Sequence, residues 1–175
     1  MNNDLRERAR RIRLLALDVD GVLTDGRIQY TSNGDEIKSF SILDGLGLKL
    51  VRRQGIAIAI ITARISPIVE RRATELGIEY VVQGREDKVI ALQELLSETG
   101  ITLEETAYMG DDLPDLKAIR AVGLGMTVAN ASPHVARHAV WQSNAHGGSG
   151  AVREACEWLL RERGELEEAL APYVG

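Results

Sequence analysis

Short apolar runs alternate with helical patterns along the whole chain. We read six of these runs as strands, at residues 14–19, 56–62, 80–82, 106–109, 122–126 and 139–141. The two longest runs are apolar on both faces, which is typical of parallel strands covered by helices on each side. The pattern therefore predicts an α/β fold, with a Rossmann-like parallel sheet between helical layers.

The polar and apolar positions between these runs have the spacing of amphipathic helices. Ser66 and Pro67 have the chemistry of a helix start, and Gly77 provides a stop. The predicted helices cover residues 43–54, 67–76, 88–99, 114–121 and 152–163. Together with the strands they predict a single domain over residues 1–175.

Three segments fall outside the alternation. Between residues 26 and 40, Asn33-Gly34 separates two alternating runs, which predicts a β-hairpin flap. The charged stretch at 1–13 indicates a frayed lead-in helix, and we expect the acidic tail at 165–175 to be mobile.

The composition argues against some classes of binding partner and indicates the cellular compartment. The formal net charge is -5, which argues against nucleic acid or an anionic membrane as partner. Cys156 is the only cysteine, so no intrachain disulfide forms, as expected in the cytoplasm. No apolar run approaches the roughly 20 residues that span a bilayer, and the polar start is unlike a secretory signal.

Acidic residues follow two of the predicted strands. Asp18 and Asp20 end the first strand, and Asp111 and Asp112 end the fourth. Carboxylates gathered at one sheet edge repel one another, and Mg²⁺, which prefers oxygen ligands, resolves that conflict. For either pair alone, a turn-capping Asp beside a solvated one is the simpler interpretation; both pairs together favour a metal site.

Two further polar residues stand at the same predicted edge. The hydroxyl of Thr62 can donate to a phosphate oxygen, although a plain strand-end threonine remains an alternative. Lys88 begins a helix, where a cation opposes the helix dipole. A nearby anion explains that position, and a solvated lysine is the alternative.

These residues carry a family resemblance. Residues 18–26 resemble the first motif of the phosphatase branch of the haloacid dehalogenase superfamily. Thr62, Lys88 and residues 110–112 resemble its second, third and fourth motifs, in order. Residues 40–45, 83–84 and 147–154 resemble the 3-deoxy-D-manno-octulosonate 8-phosphate phosphatase family in particular.

The resemblance implies a mechanism and a substrate. Asp18 would be the nucleophile that forms an aspartyl-phosphate, and Asp20 the general acid and base. Mg²⁺ would be held by Asp18, the Asp20 backbone carbonyl and Asp111, while Thr62 and Lys88 bind the phosphoryl group. The implied activity is hydrolysis of an eight-carbon sugar acid phosphate in lipopolysaccharide biosynthesis.

The sugar would be bound by polar residues around this centre. The candidate sugar contacts are Ser41, Asp44, Gly45, Lys49, Arg64 and Arg72. A nonulosonate 9-phosphate is the alternative substrate. A non-catalytic assembly module is the alternative from another class, but it predicts the loss of a motif residue, and all of them are present.

The lengths between motifs indicate a site without a cap domain. Neither 21–61 nor 89–110 reaches the roughly 50 residues of a small domain. An open site of this kind needs another surface to complete it. The resemblance implies a homotetramer in which hairpins join and neighbouring subunits, including the tail, complete the pocket.

Overall fold

The computed structural model describes residues 3–174. The strands are β1 (Leu14–Leu17), β2 (Gln29–Tyr30), β3 (Glu36–Ile37), β4 (Ala57–Ile61), β5 (Tyr80–Val82), β6 (Thr106–Gly110), β7 (Leu124–Thr127) and β8 (Trp141–Gln142). The helices are α1 (Asn3–Arg11), α2 (Ile42–Arg53), α3 (Pro67–Leu76), α4 (Lys88–Thr99), α5 (Leu116–Ala121), α6 (Pro133–Ala136), α7 (Ala151–Arg163) and α8 (Leu166–Val174). A 3-10 turn at Leu113–Asp115 precedes α5.

Six strands form one parallel sheet, as predicted. Their order is β5-β4-β1-β6-β7-β8, with β1 paired to β4 on one side and to β6 on the other. Because all six strands point the same way, the segments that follow β1, β4 and β6 meet at one edge. This topology brings the polar clusters of the sequence together.

Both faces of the sheet are covered. In β1, Leu15 and Leu17 belong to the core that α2, α3 and α7 complete, while Leu14 and Ala16 belong to the core under α4 and α5. The alternation follows from the two-residue period of a strand. All four side chains are fully buried, which explains why the run is apolar throughout.

The predicted hairpin is present but short. β2 and β3 pair antiparallel through Gln29 with Ile37 and Tyr30 with Glu36, apart from the main sheet. Three apolar side chains of this region, Ile28, Tyr30 and Ile37, are exposed. The hairpin therefore presents apolar surface that its own chain does not cover.

The two ends of the chain are better packed than predicted. In α1, Ala9 is fully buried, and Arg6 Nε lies 2.9 Å from a carboxylate oxygen of Glu162 in α7. In α8, Leu166 and Ala169 are buried, which their spacing on one helix face allows. For the described residues the lead-in helix is thus packed and not frayed, and the tail is a helix with a buried face, whose mobility stays a prediction; Met1, Asn2 and Gly175 lie outside them.

None of the helices described between residues 3 and 174 has the length and apolar character to cross a membrane.

Candidate active site

An open cleft lies at the carboxyl edge of the sheet. Six of the residues predicted for the site line it: Asp18, Asp20, Thr62, Arg64, Lys88 and Asp111. They come from segments that are far apart in sequence. The parallel topology, with β1 between β4 and β6, is what makes them neighbours.

Asp18 and Lys88 form a buried ion pair at the base of the cleft. The Lys88 ammonium Nζ lies 2.7 Å from Asp18 Oδ1 and 2.7 Å from Asp115 Oδ1. The lysine side chain is 4% exposed, so its charge depends on these two carboxylates. The lysine at the start of α4 is therefore explained by acidic neighbours on other elements.

Asp115 holds this arrangement in place from below. Its Oδ1 also accepts a hydrogen bond of 2.8 Å from the Tyr108 hydroxyl. Its Oδ2 accepts from the backbone N–H groups of Asp111, at 3.0 Å, and of Asp112, at 3.3 Å. Both oxygens thus have two donors each, and they fix the segment that follows β6.

The pKa values of the charged residues in the cleft are shifted by burial and by neighbouring charges. Burial, followed by the negative charge of Asp115, raises the pKa of Asp18, although Lys88 opposes this. Burial, with Asp115 and Asp112 nearby, raises the pKa of Asp111 to about 7. For Lys88, burial disfavours the charge, but the carboxylates of Asp18 and Asp115 outweigh it and raise the pKa.

The acidic cluster fits a hard divalent cation. Asp18, Asp111 and Asp115 each place a carboxylate oxygen within 4.8 Å of the others. Because Asp115 already has four donors, we assign it a supporting role. Within residues 3–174 the Asp111 carboxylate forms no ion pair, and the Asp20 carbonyl accepts no hydrogen bond. Those oxygens, with Asp18, would serve Mg²⁺ well.

A loop at residues 18–26, here called the first-strand loop, leaves room for these carboxylates. Gly21 has a φ of 100°, and a Cβ there would lie 2.1 Å from Asp111 Oδ2. Gly147 packs on the loop from outside, since a Cβ there would lie 1.8 Å from the Gly21 carbonyl oxygen. The geometry therefore requires glycine at both positions.

Asp20 faces the hairpin and not Lys88. Its Oδ1 is in direct contact with the ammonium of Lys38, which follows β3. Lys38 Nζ also lies 3.4 Å from Glu36 Oε1. Asp18 and Asp20 are therefore held by different lysines.

Thr62 follows β4 and its side chain borders the cleft. The residue is buried, and its Oγ1 accepts a hydrogen bond of 3.3 Å from the backbone N–H of Arg64. The hydroxyl hydrogen remains able to donate to a ligand oxygen. This placement suits the predicted contact with a phosphate.

Most of the predicted sugar contacts lie outside the acidic cleft. Four of them, Ser41, Asp44, Gly45 and Arg72, line a separate narrow cavity with Leu23 and Phe40. Lys49 borders a third cavity, with Arg52 and Gly77, where α2 and α3 end. Arg64 is the predicted sugar contact that lines the acidic cleft.

The structure gives Asp44 another role. Its carboxylate is 1% exposed and accepts from the backbone N–H groups of Arg153, at 2.8 Å, and Gly150, at 3.4 Å. It therefore caps the start of α7, where the helix dipole favours a negative charge. The role of Asp44 as a sugar contact stays a prediction beside this structural role, and Gly45 is buried next to it because Arg72 packs over its Cα.

Sequence reasoning missed Asp115 and Lys38. Asp115 follows Asp112 by three residues at a helix start, which is the spacing of a capping pair and could have drawn attention to it. Nothing local distinguishes Lys38, because its partner Asp20 lies on another element. Such a contact becomes visible only in the folded chain.

Known proteins share both the sequence and the fold. Residues 73–154 match the sequence profile of haloacid dehalogenase-like hydrolases. The chain is 45% identical over 166 residues to 3-deoxy-D-manno-octulosonate 8-phosphate phosphatase KdsC of Escherichia coli K12, covering 95% of this chain and 88% of that one.

Two solved structures superpose closely on this one. A probable YrbI family phosphatase from Pseudomonas syringae gives a TM-score of 0.97 at 51% identity, over 99% of both chains. The 3-deoxy-D-manno-octulosonate 8-phosphate phosphatase of Moraxella catarrhalis, in complex with a magnesium ion, a phosphate ion and KDO, gives 0.96 at 44% identity, again over 99% of both chains.

The fold and the acidic cleft are those of a haloacid dehalogenase-like hydrolase. Relatives of this similarity cover nearly the whole chain and share its layered sheet. The protein belongs to the 3-deoxy-D-manno-octulosonate 8-phosphate phosphatase family within that superfamily. The resemblance found in the sequence motifs is confirmed.

Proposed function

We propose that the protein is a Mg²⁺-dependent phosphatase that hydrolyses 3-deoxy-D-manno-octulosonate 8-phosphate to the free sugar acid and phosphate. The main observation behind this proposal is the buried carboxylate of Asp18, which pairs with Lys88 at the carboxyl edge of the sheet. Asp111 lines the same cleft, and its carboxylate forms no ion pair within residues 3–174. The Moraxella relative, whose structure contains magnesium, phosphate and KDO, supports the substrate. The activity belongs to lipopolysaccharide biosynthesis.

In the first step Asp18 attacks phosphorus and the bond to the sugar oxygen breaks. Asp20 gives its proton to that oxygen, so the sugar leaves as an alcohol. Lys88 and the Thr62 hydroxyl hold the oxygens of the transferring group. A carboxylate is a weak nucleophile, so positioning and neutralisation of charge provide most of the acceleration.

In the second step the aspartyl-phosphate is hydrolysed. Asp20, now ionised, takes a proton from a water molecule that attacks phosphorus, and Asp18 is regenerated as phosphate leaves. Asp18, Asp111 and the Asp20 carbonyl would hold Mg²⁺, which would supply neutralising charge for both steps. Asp18 thus has the covalent role, and Asp20 has the proton-transfer role.

A sugar phosphate panel tests this function. With Mg²⁺ present, the purified protein should release phosphate from 3-deoxy-D-manno-octulosonate 8-phosphate with at least about 10-fold higher kcat/KM than from a nonulosonate 9-phosphate, since about 1.4 kcal/mol of contact energy gives that ratio. Excess EDTA should abolish release, and added Mg²⁺ should restore it. Equal or reversed preference would refute the substrate, and activity in EDTA would refute the metal.

We also propose that the chain acts as one cytoplasmic, capless domain within a homotetramer. The exposed Ile28, Tyr30 and Ile37 of the hairpin, with Ile42 at 81% and Ile65 at 80% exposure, support a covering subunit. Light scattering coupled to gel filtration should give about four times the 19.2 kDa chain mass. Replacing Tyr30 and Ile37 by Ser should lower that mass; a wild-type monomer would refute the assembly.

A further inference from the structure

We propose that Lys38 is a positioning residue for the general acid and base Asp20, and this inference rests on the proposed function. Lys38 lies outside the motifs that define the site in sequence. It reaches the cleft from the hairpin, and its ammonium contacts Asp20 Oδ1. The contact holds Oδ1, and Oδ2, which lies 4.0 Å from Arg64 Nε, carries the proton that is transferred.

The burial of Lys38 indicates that the contact is built into the fold. Its side chain is 3% exposed, although lysine is rarely buried without partners. Asp20 is 24% exposed and borders the open cleft. Its other ion-pair partner within residues 3–174 is Arg64, whose Nε lies 4.0 Å from Oδ2, too far for a hydrogen bond. A buried ammonium that holds one oxygen limits Asp20 to a single orientation.

Glu36 fixes the lysine in turn. Its Oε1 lies 3.4 Å from Lys38 Nζ and accepts a hydrogen bond of 3.0 Å from Arg64 Nη2. Its Oε2 accepts a hydrogen bond of 2.7 Å from the Ser66 hydroxyl. Glu36 thus joins the hairpin to the segment after β4 and holds the Lys38 ammonium in place. Lys38 in turn holds the Asp20 carboxylate.

This geometry predicts a dependence on the leaving group. An alkyl oxygen needs a proton from Asp20 as its bond to phosphorus breaks, whereas p-nitrophenolate is stable enough to leave without one. A Lys38→Met variant should therefore lose about 10²-fold in kcat/KM for 3-deoxy-D-manno-octulosonate 8-phosphate, the usual contribution of a general acid. For p-nitrophenyl phosphate the loss should be less than about 3-fold.

Three further variants complete the test. Lys38→Arg should restore most of the lost activity, because arginine keeps the charge and the donor. In an Asp20→Asn background, Lys38→Met should cause no further loss with the sugar phosphate. Lys117→Met, the same change at an exposed position of α5, should leave both kcat/KM values unchanged.

The outcomes separate this inference from the proposed function. A wild-type protein that hydrolyses neither phosphate would refute the function itself. An active wild type in which Lys38→Met lowers both substrates equally, or neither, would overturn the role of Lys38 alone. If Lys38→Met does not fold, Glu36→Gln provides the same comparison: it should give a smaller loss selective for the sugar phosphate, and an equal loss for both would overturn the role.

Discussion

Asp18→Asn should lower kcat/KM for 3-deoxy-D-manno-octulosonate 8-phosphate by at least about 10³-fold, as expected when a covalent nucleophile is removed. An amide of the same shape fills the site but cannot accept the phosphoryl group. The loss should be equally large with p-nitrophenyl phosphate, because the nucleophile is needed whatever group leaves. Steady-state phosphate release with both substrates measures the effect.

The fold should survive this change. Burial raises the pKa of Asp18, so its ionised form costs folding free energy at pH 8, above that raised pKa. The neutral amide avoids this cost, and Lys88 keeps Asp115 as a partner. The melting temperature of the variant in EDTA at pH 8 should therefore equal or exceed that of the wild type. Activity within 10-fold of the wild type would remove the assignment of Asp18 as nucleophile.

Asp115→Asn should destabilise the protein by about 3 kcal/mol, the usual cost of breaking a buried ion pair by changing one partner. The carboxylate is completely buried and accepts from Lys88, Tyr108 and two backbone N–H groups. In either orientation, the NH₂ of an asparagine side chain would face one of these two pairs of donors, so a donor would lie against a donor. For a chain of this size the melting temperature should fall by about 6–12 °C.

The neighbouring aspartate provides the control for this prediction. Asp112 is exposed, and Asp112→Asn should change stability by less than about 0.5 kcal/mol. Asp115→Asn should also lower kcat by at least about 10-fold, because Lys88 loses the partner that places it beside Asp18. A melting temperature of Asp115→Asn as high as that of Asp112→Asn would contradict the supporting role of this carboxylate.

The parallel sheet could be predicted from sequence because its signals are local. The doubly apolar runs at β1 and β4 show where each strand lies, and Asp18 and Asp111 follow strands that the topology places side by side. The residues that contact the reacting phosphate in the proposed mechanism therefore came directly from motif positions. The sheet order then explains their proximity.

Long-range partners account for what the sequence did not reveal. Asp44 has the polarity of a sugar contact, but its carboxylate caps α7, more than a hundred residues further on. Lys38 and Asp115 gain their significance from Asp20 and Lys88, which lie on other elements. Polarity at one position does not determine which of these tertiary partners it will meet.

The contact between Gly147 and Gly21 of the first-strand loop joins parts of the polypeptide that are more than a hundred residues apart in sequence. A chain emerges from the ribosome N-terminal end first, so Asp18 is synthesised long before residue 147. The loop that presents the carboxylate consequently lacks its outer support until residue 147 has been synthesised. A product that terminates before this point carries every catalytic motif residue and still lacks a finished catalytic centre.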